Sequence, residues 1–172
     1  MYLPLTLERR QQAKARLSAR QRLATDLLLA WEEGLGALRL GKQYFAVKPG
    51  DLIWLPAGTL FALGASDASA FSVLWLSKRL ALALPGQVGL LADPWFAATL
   101  ARATAAQGEH RQGLLKVLAG ELATAKPQAL GQVLPWPAPG ALAPLALIEA
   151  GRQGQHQQGL DIDPRPLALT PA

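Results

Sequence analysis

Residues 26–63 read DLLLAWEEGLGALRLGKQYFAVKPGDLIWLPAGTLFAL. Short apolar runs are cut by Gly34, Gly36, Gly41, Pro49-Gly50 and Pro56-Ala57-Gly58. Turn signals this closely spaced predict an all-β sandwich or barrel. Gly41-Lys42 suits a two-residue hairpin turn between ALRL and QYFAV. Pro49-Gly50 suits a type II turn, with Pro presetting φ and Gly taking φ > 0.

The pattern continues on both sides. Upstream, Ala13, Ala15, Leu17, Ala19, Gln21 and Leu23 alternate with Lys14, Arg16, Ser18, Arg20 and Arg22. That period of two predicts a strand with one buried and one basic face, although Ala, Arg, Gln and Lys favour helices. Downstream, GASDAS (64–69) reads as a polar turn, and Phe71, Val73 and Trp75 alternate along another strand. A short strand or turn follows within LALALPGQVGLL (80–91).

At Asp93-Pro94 the period changes. Asp can cap the free N–H groups of a helix, and Pro suits its first position. Trp95, Phe96, Leu100 and Ala103 form one stripe, and Gly108 ends the helix. A second helix is expected from about Glu109 to Ala125, with Leu114, Leu115, Val117, Leu118 and Leu122 on its apolar face. Beyond Lys126-Pro127 the composition turns to Pro, Gly and Ala, with one short helix expected near 141–150 and a loose tail after it. The expected division is a barrel over 1–92, an αα-hairpin over 93–126, and a linker and tail over 127–172.

Composition limits the function. The 172 residues suit one domain with an appendage. There is no cysteine, which excludes disulfides and thiolate metal sites. The only histidines, His110 and His156, lie outside the barrel region, so no metal is expected. No leader pattern and no long apolar span is visible, so a cytoplasmic protein without membrane contact is expected. Six basic residues (Arg9, Arg10, Lys14, Arg16, Arg20, Arg22) and one acid (Glu8) fall in residues 1–22, which therefore hold the whole net charge of +5. Such a block is either an anion contact or one solvated strand face.

Gly50, five residues, Pro56, one residue, Gly58, two residues and Phe61 resemble the second conserved motif of cupins. The motif's last residue is a histidine metal ligand in metal cupins; here it is Phe61. The surrounding text and the helices after it resemble the sensor domains of AraC-type regulators, over roughly residues 15–137. The resemblance implies a cupin-like β-barrel or jelly roll (a mainly β, α+β fold) followed by an antiparallel helical hairpin. It implies a small-molecule effector and a homodimer formed through the hairpin. The family's helix-turn-helix is not visible after Gly151, so direct sequence-specific DNA binding by this chain is not expected.

The candidate effector site is Trp31, Tyr44, Trp54, Phe61 and Trp75 as an aromatic lining, with Arg20 and Arg22 facing an anion; otherwise the aromatics fill the core and the arginines are solvated. Glu32 and Glu33 are consecutive on a strand, so at most one can enter the barrel. The candidate dimer surface is Trp95, Leu100, Leu114, Leu115, Leu118 and Leu122, unless the hairpin spends these residues on the barrel. No catalytic residue and no cofactor is expected. Three functions remain open: a sensing and dimerising module, a stand-alone cupin that heterodimerises with a full-length regulator, and a metal-free cupin isomerase or epimerase. The last would want a histidine base in the barrel.

Overall fold

The computed structural model describes residues 5–77, 83–131, 133–134 and 162–163. The expected helix near 141–150 lies outside them. Among the described residues ten strands precede the helices: β1 (Leu5–Gln12), β2 (Ala15–Leu17), β3 (Gln21–Arg22), β4 (Asp26–Glu33), β5 (Gly36–Leu40), β6 (Gln43–Val47), β7 (Leu52–Leu55), β8 (Leu60–Ala65), β9 (Ser69–Leu76) and β10 (Gly89–Leu90). Helices α1 (Pro94–Ala105) and α2 (Gly108–Thr124) follow, then β11 (Val133–Leu134) and β12 (Ile162–Asp163).

The strands form two sheets. The first runs β1-β9-β4-β7-β10, and the second runs β11-β6-β5-β8-β2-β12 with β3 also on β8. The expected turns close them. Gly41-Lys42 joins β5 to β6 with Leu40 opposite Gln43, and Gly41 has φ +61°. Gly50 takes φ +94° between β6 and β7. Part of the segment read as linker and tail rejoins the barrel: β11 pairs with β6 and β12 with β2, each covering an exposed sheet edge.

Two cores flank the first sheet. One lies between the sheets, with Leu27, Leu29, Trp31, Ile53, Phe71 and Val73 from the first and Leu38, Phe61 and Leu63 from the second. The other lies between the first sheet's outer face and the hairpin, where Leu28, Trp54 and Leu74 meet Phe96, Leu100, Leu115, Leu118 and Leu122. Covering on both faces explains why β7 and β9 are buried at every residue, and why LIWL reads as a continuous apolar run.

The helices begin and break where expected. The Asp93 carboxylate accepts from the backbone N–H of Trp95 at 3.0 Å and of Phe96 at 3.3 Å, with Pro94 in the first turn. Replacing Asp93 with alanine is expected to cost about 1 kcal/mol of stability by denaturant titration, the usual value of such a cap. Gly108 takes φ +60° and starts α2.

The N-terminal segment differs from expectation in two ways. First, the strand pairing with β9 is residues 5–12, with Leu5 opposite Leu76 and Gln12 opposite Ser69. Second, the alternation over 13–23 is broken. Arg16 lies opposite Ala65, but Gln21 lies opposite Phe61, so one extra residue intervenes and the faces swap. Paired residues share a face. Arg16 therefore lies on the side of the buried Ala65, whereas Arg22, opposite Leu60, faces out.

Candidate functional site

Three of the seven expected site residues face the space between the sheets. Trp31 is 2% exposed and stacks on Phe71, with ring centroids 4.7 Å apart and planes 4° from parallel. Its indole N–H donates to the Gly34 carbonyl at 3.1 Å. Phe61, at the position of the cupin histidine, is buried in the same cluster. Trp75 completes the inward set on β9.

The other four are elsewhere. Trp54 points to the opposite face of the first sheet, against the hairpin, and its indole donates to Pro85 O at 2.8 Å. Its neighbour Ile53 takes the inward place because successive strand residues alternate. Tyr44 lies opposite Arg39 on β6, out of phase with the inward Val47, and the Arg39 guanidinium sits 5.7 Å from its ring. Arg20 is exposed, and Arg22 is exposed and donates to Gly58 O at 2.8 Å. Neither reaches the interior: the register slip before β3 turns Arg22 outward, and Arg20 lies in the connection between β2 and β3.

The interior gains polar groups from β1 instead. Leu5 and Leu7 belong to the core beneath the hairpin, so β1 turns its other face inward: Glu8 opposite Val73, Arg10 opposite Phe71 and Gln12 opposite Ser69. The Arg10 side chain is 15% exposed. Its guanidinium lies 5.2 Å from the centroid of the Trp75 ring, and its Nε is 3.5 Å from Glu8 Oε1. Two buried side-chain atoms have no hydrogen-bond partner among the described residues, Trp75 Nε1 and Gln12 Oε1. Sequence reasoning missed β1. In LTLERRQQ the apolar residues look like the barrel side and the polar ones like the solvent side, and the structure places them the other way round.

On the outer face of the same sheet, Arg9 Nε donates to Glu32 Oε2 and Ser72 Oγ donates to Glu32 Oε1, each at 2.6 Å. Glu32 and Glu33 do not point apart as simple alternation would have them: a bulge between Trp31 and Glu33 sets both on the outer face, where Arg9 also lies 3.9 Å from Glu33 Oε1, so neither enters the barrel.

The expected dimer residues also separate. Leu100, Leu115, Leu118 and Leu122 are each at most 4% exposed and packed on the sheet, so they are closed to a second copy. Leu114 is half-buried. Trp95 and Val117, 50% and 49% exposed, are the large apolar side chains left open among the described residues. His110 is exposed on α2. No three His, Asp or Glu side chains gather among the described residues, and no helix there is long and apolar enough to cross a membrane.

A family model described as the AraC-like ligand binding domain matches residues 10–123. Among solved structures, apo ToxT from Vibrio cholerae is similar over 70% of this chain and 54% of its own, with 10% identity and a TM-score of 0.54. The chain thus spans about half the length of ToxT. A second crystal form of ToxT gives 13% identity over 68% and 53%, with a TM-score of 0.47. A cupin superfamily protein from Desulfitobacterium hafniense gives 14% identity over 45% and 72%, with a TM-score of 0.42. No curated protein matches the sequence.

Proposed function

Because this chain belongs to the AraC-like ligand-binding domain family, we propose that it is a non-catalytic sensor module that holds a small effector against the inward face of β1. The observation that carries the reading is the buried Trp75 N–H without a partner beside the Arg10 guanidinium. An orphaned buried donor costs about 1–3 kcal/mol. A ligand that accepts from it recovers that cost. Indole N–H and guanidinium both donate, so the effector presents an acceptor, best an anionic one such as a carboxylate. Gln12 Oε1 takes a donor from elsewhere on the effector.

The working division is a barrel over 1–92 for the effector and a hairpin over 93–126 for a second copy. The homodimer surface is revised to Trp95, Leu114 and Val117, since the deeper leucines are occupied by the sheet.

Native mass spectrometry of the protein purified from its own host tests both parts. The expected species is a dimer carrying an extra mass. The Trp75→Phe variant keeps the ring and removes the donor, and is expected to lose the adduct; Gln12→Leu is expected to lose it too and to gain about 1 kcal/mol of stability without effector. An adduct retained at full occupancy in both variants would place the effector elsewhere. A dimer that survives Trp95→Ala together with Val117→Asp would rule out this face of the hairpin.

A further inference from the structure

A cavity lies outside the barrel. It is a cleft of about 170 Å³ between the outer face of the first sheet and α1. Ala30 and Leu52 form its floor, Ala97 and Ala101 its helical wall, and Glu32 and Ser72 its rim. Its origin is local. Ala97 and Ala101 are one helical turn apart and both short, and they face the short Ala30, so beside Leu100 the helix spans a gap that Phe96 fills elsewhere along the sheet.

We propose that this cleft is a second small-molecule site, distinct from the barrel interior, for a neutral, single-ring aromatic alcohol or a branched alkanol of similar size. Volume sets the upper limit: an apolar cavity of about 150 Å³ holds one benzene ring. Thr104 apart, the floor and wall are methyl and isobutyl groups, which favour an apolar body. The polar groups of the lining are the Glu32 carboxylate and the Ser72 and Thr104 hydroxyls, whose protons are already given to Glu32 and to Leu100 O. Glu32 is fixed by Arg9 on one oxygen and Ser72 on the other, and each carboxylate oxygen still has a lone pair to accept with. A hydroxyl suits that acceptor. Arg9 lies 2.6 Å from Glu32 and 3.9 Å from Glu33, and a neutral ligand that only donates a hydroxyl leaves that arrangement intact. Since α1 forms one wall, occupancy bears directly on how the hairpin sits against the sheet.

The test uses the full chain and benzyl alcohol, followed by methyl-resolved NMR. Saturable shifts confined to Leu52, Ala97, Leu100 and Ala101, with a dissociation constant on the order of millimolar, are expected from so small a ligand. Toluene, which lacks the hydroxyl, is expected to bind several-fold more weakly. Ala101→Leu fills the cleft from the helix and is expected to weaken benzyl alcohol at least tenfold while the melting temperature holds or rises. Leu52→Phe fills it from the sheet and serves if the first variant does not fold. Gln12→Leu, in the barrel, is expected to leave benzyl alcohol binding unchanged, which separates this site from the other. The absence of saturable binding to the wild-type chain, or undiminished binding to a folded, cleft-filled variant, would overturn the proposal.

Discussion

Truncating Leu118 to alanine is expected to lower the unfolding free energy by about 2–5 kcal/mol, the range for a leucine removed from a core that cannot collapse around the gap. Leu118 is 0% exposed and shares a core with Leu28, Trp54 and Leu74 of the sheet and Phe96 of α1. Sheet above and helices below fix the surroundings, so little relaxation is available. The hairpin is therefore half of a hydrophobic core rather than an appendage. Arg111 of α2 adds to the attachment by donating to the Leu7 carbonyl on β1. Thermal unfolding followed at the helical and the aromatic circular dichroism bands should give one coincident, lowered transition. A loss under 1 kcal/mol accompanied by a changed oligomeric state would return Leu118 to a subunit interface.

The second large effect is at Gly36. A methyl group there is expected to destabilise the protein by about 1–3 kcal/mol, although alanine is ordinarily better than glycine inside a strand. The backbone is not the obstacle. A Cβ on Gly36 would stand 2.8 Å from the Trp31 ring atoms Cη2 and Cζ2, and 3.1 Å from the Gly64 carbonyl oxygen. The ring cannot retreat, because Phe71 stacks behind it and its N–H is held by Gly34. Urea titration of Gly36→Ala, alone and with Trp31→Phe, separates the causes. The smaller ring should recover most of the loss. A single variant as stable as the wild type would mean that the ring shifts freely and that the barrel interior is less tightly packed than it stands here.

The two positions show how differently the sequence speaks. Gly36 reads only as punctuation between apolar runs, yet its role is to make room for a ring that reaches it from β4. Leu118 reads plainly as part of a helical stripe, but the stripe leaves open whether a sheet or a second copy covers it. The same division runs through the candidate site. Alternation put Phe71, Val73 and Trp75 on one face of β9, and they do share the interior. It also left Trp31, Trp54 and Trp75 as equal candidates, and Trp54 lies on the far side of its sheet.

Much was legible in local chemistry. Gly41-Lys42 and Pro49-Gly50 make the turns they spell, because positive φ is cheap only for glycine. Asp93-Pro94 starts a helix because a carboxylate there satisfies free N–H groups. The spacing from Gly50 to Phe61 identified the barrel, and the absence of cysteine and of a barrel histidine set limits on its chemistry. These features depend on residues within a few positions of one another.

What only the tertiary structure decided is which face is inside. A period of two groups residues by face but does not say which face meets which layer. The usual rule, apolar inward, fails where a sheet is covered on both sides. On β1 the apolar Leu5 and Leu7 serve the hairpin, so Arg10 and Gln12 are left to the barrel. A single extra residue between β2 and β3 then exchanges the faces of the basic segment. Both outcomes follow from contacts between segments tens of residues apart, where strand register and the covering layer outweigh local pattern.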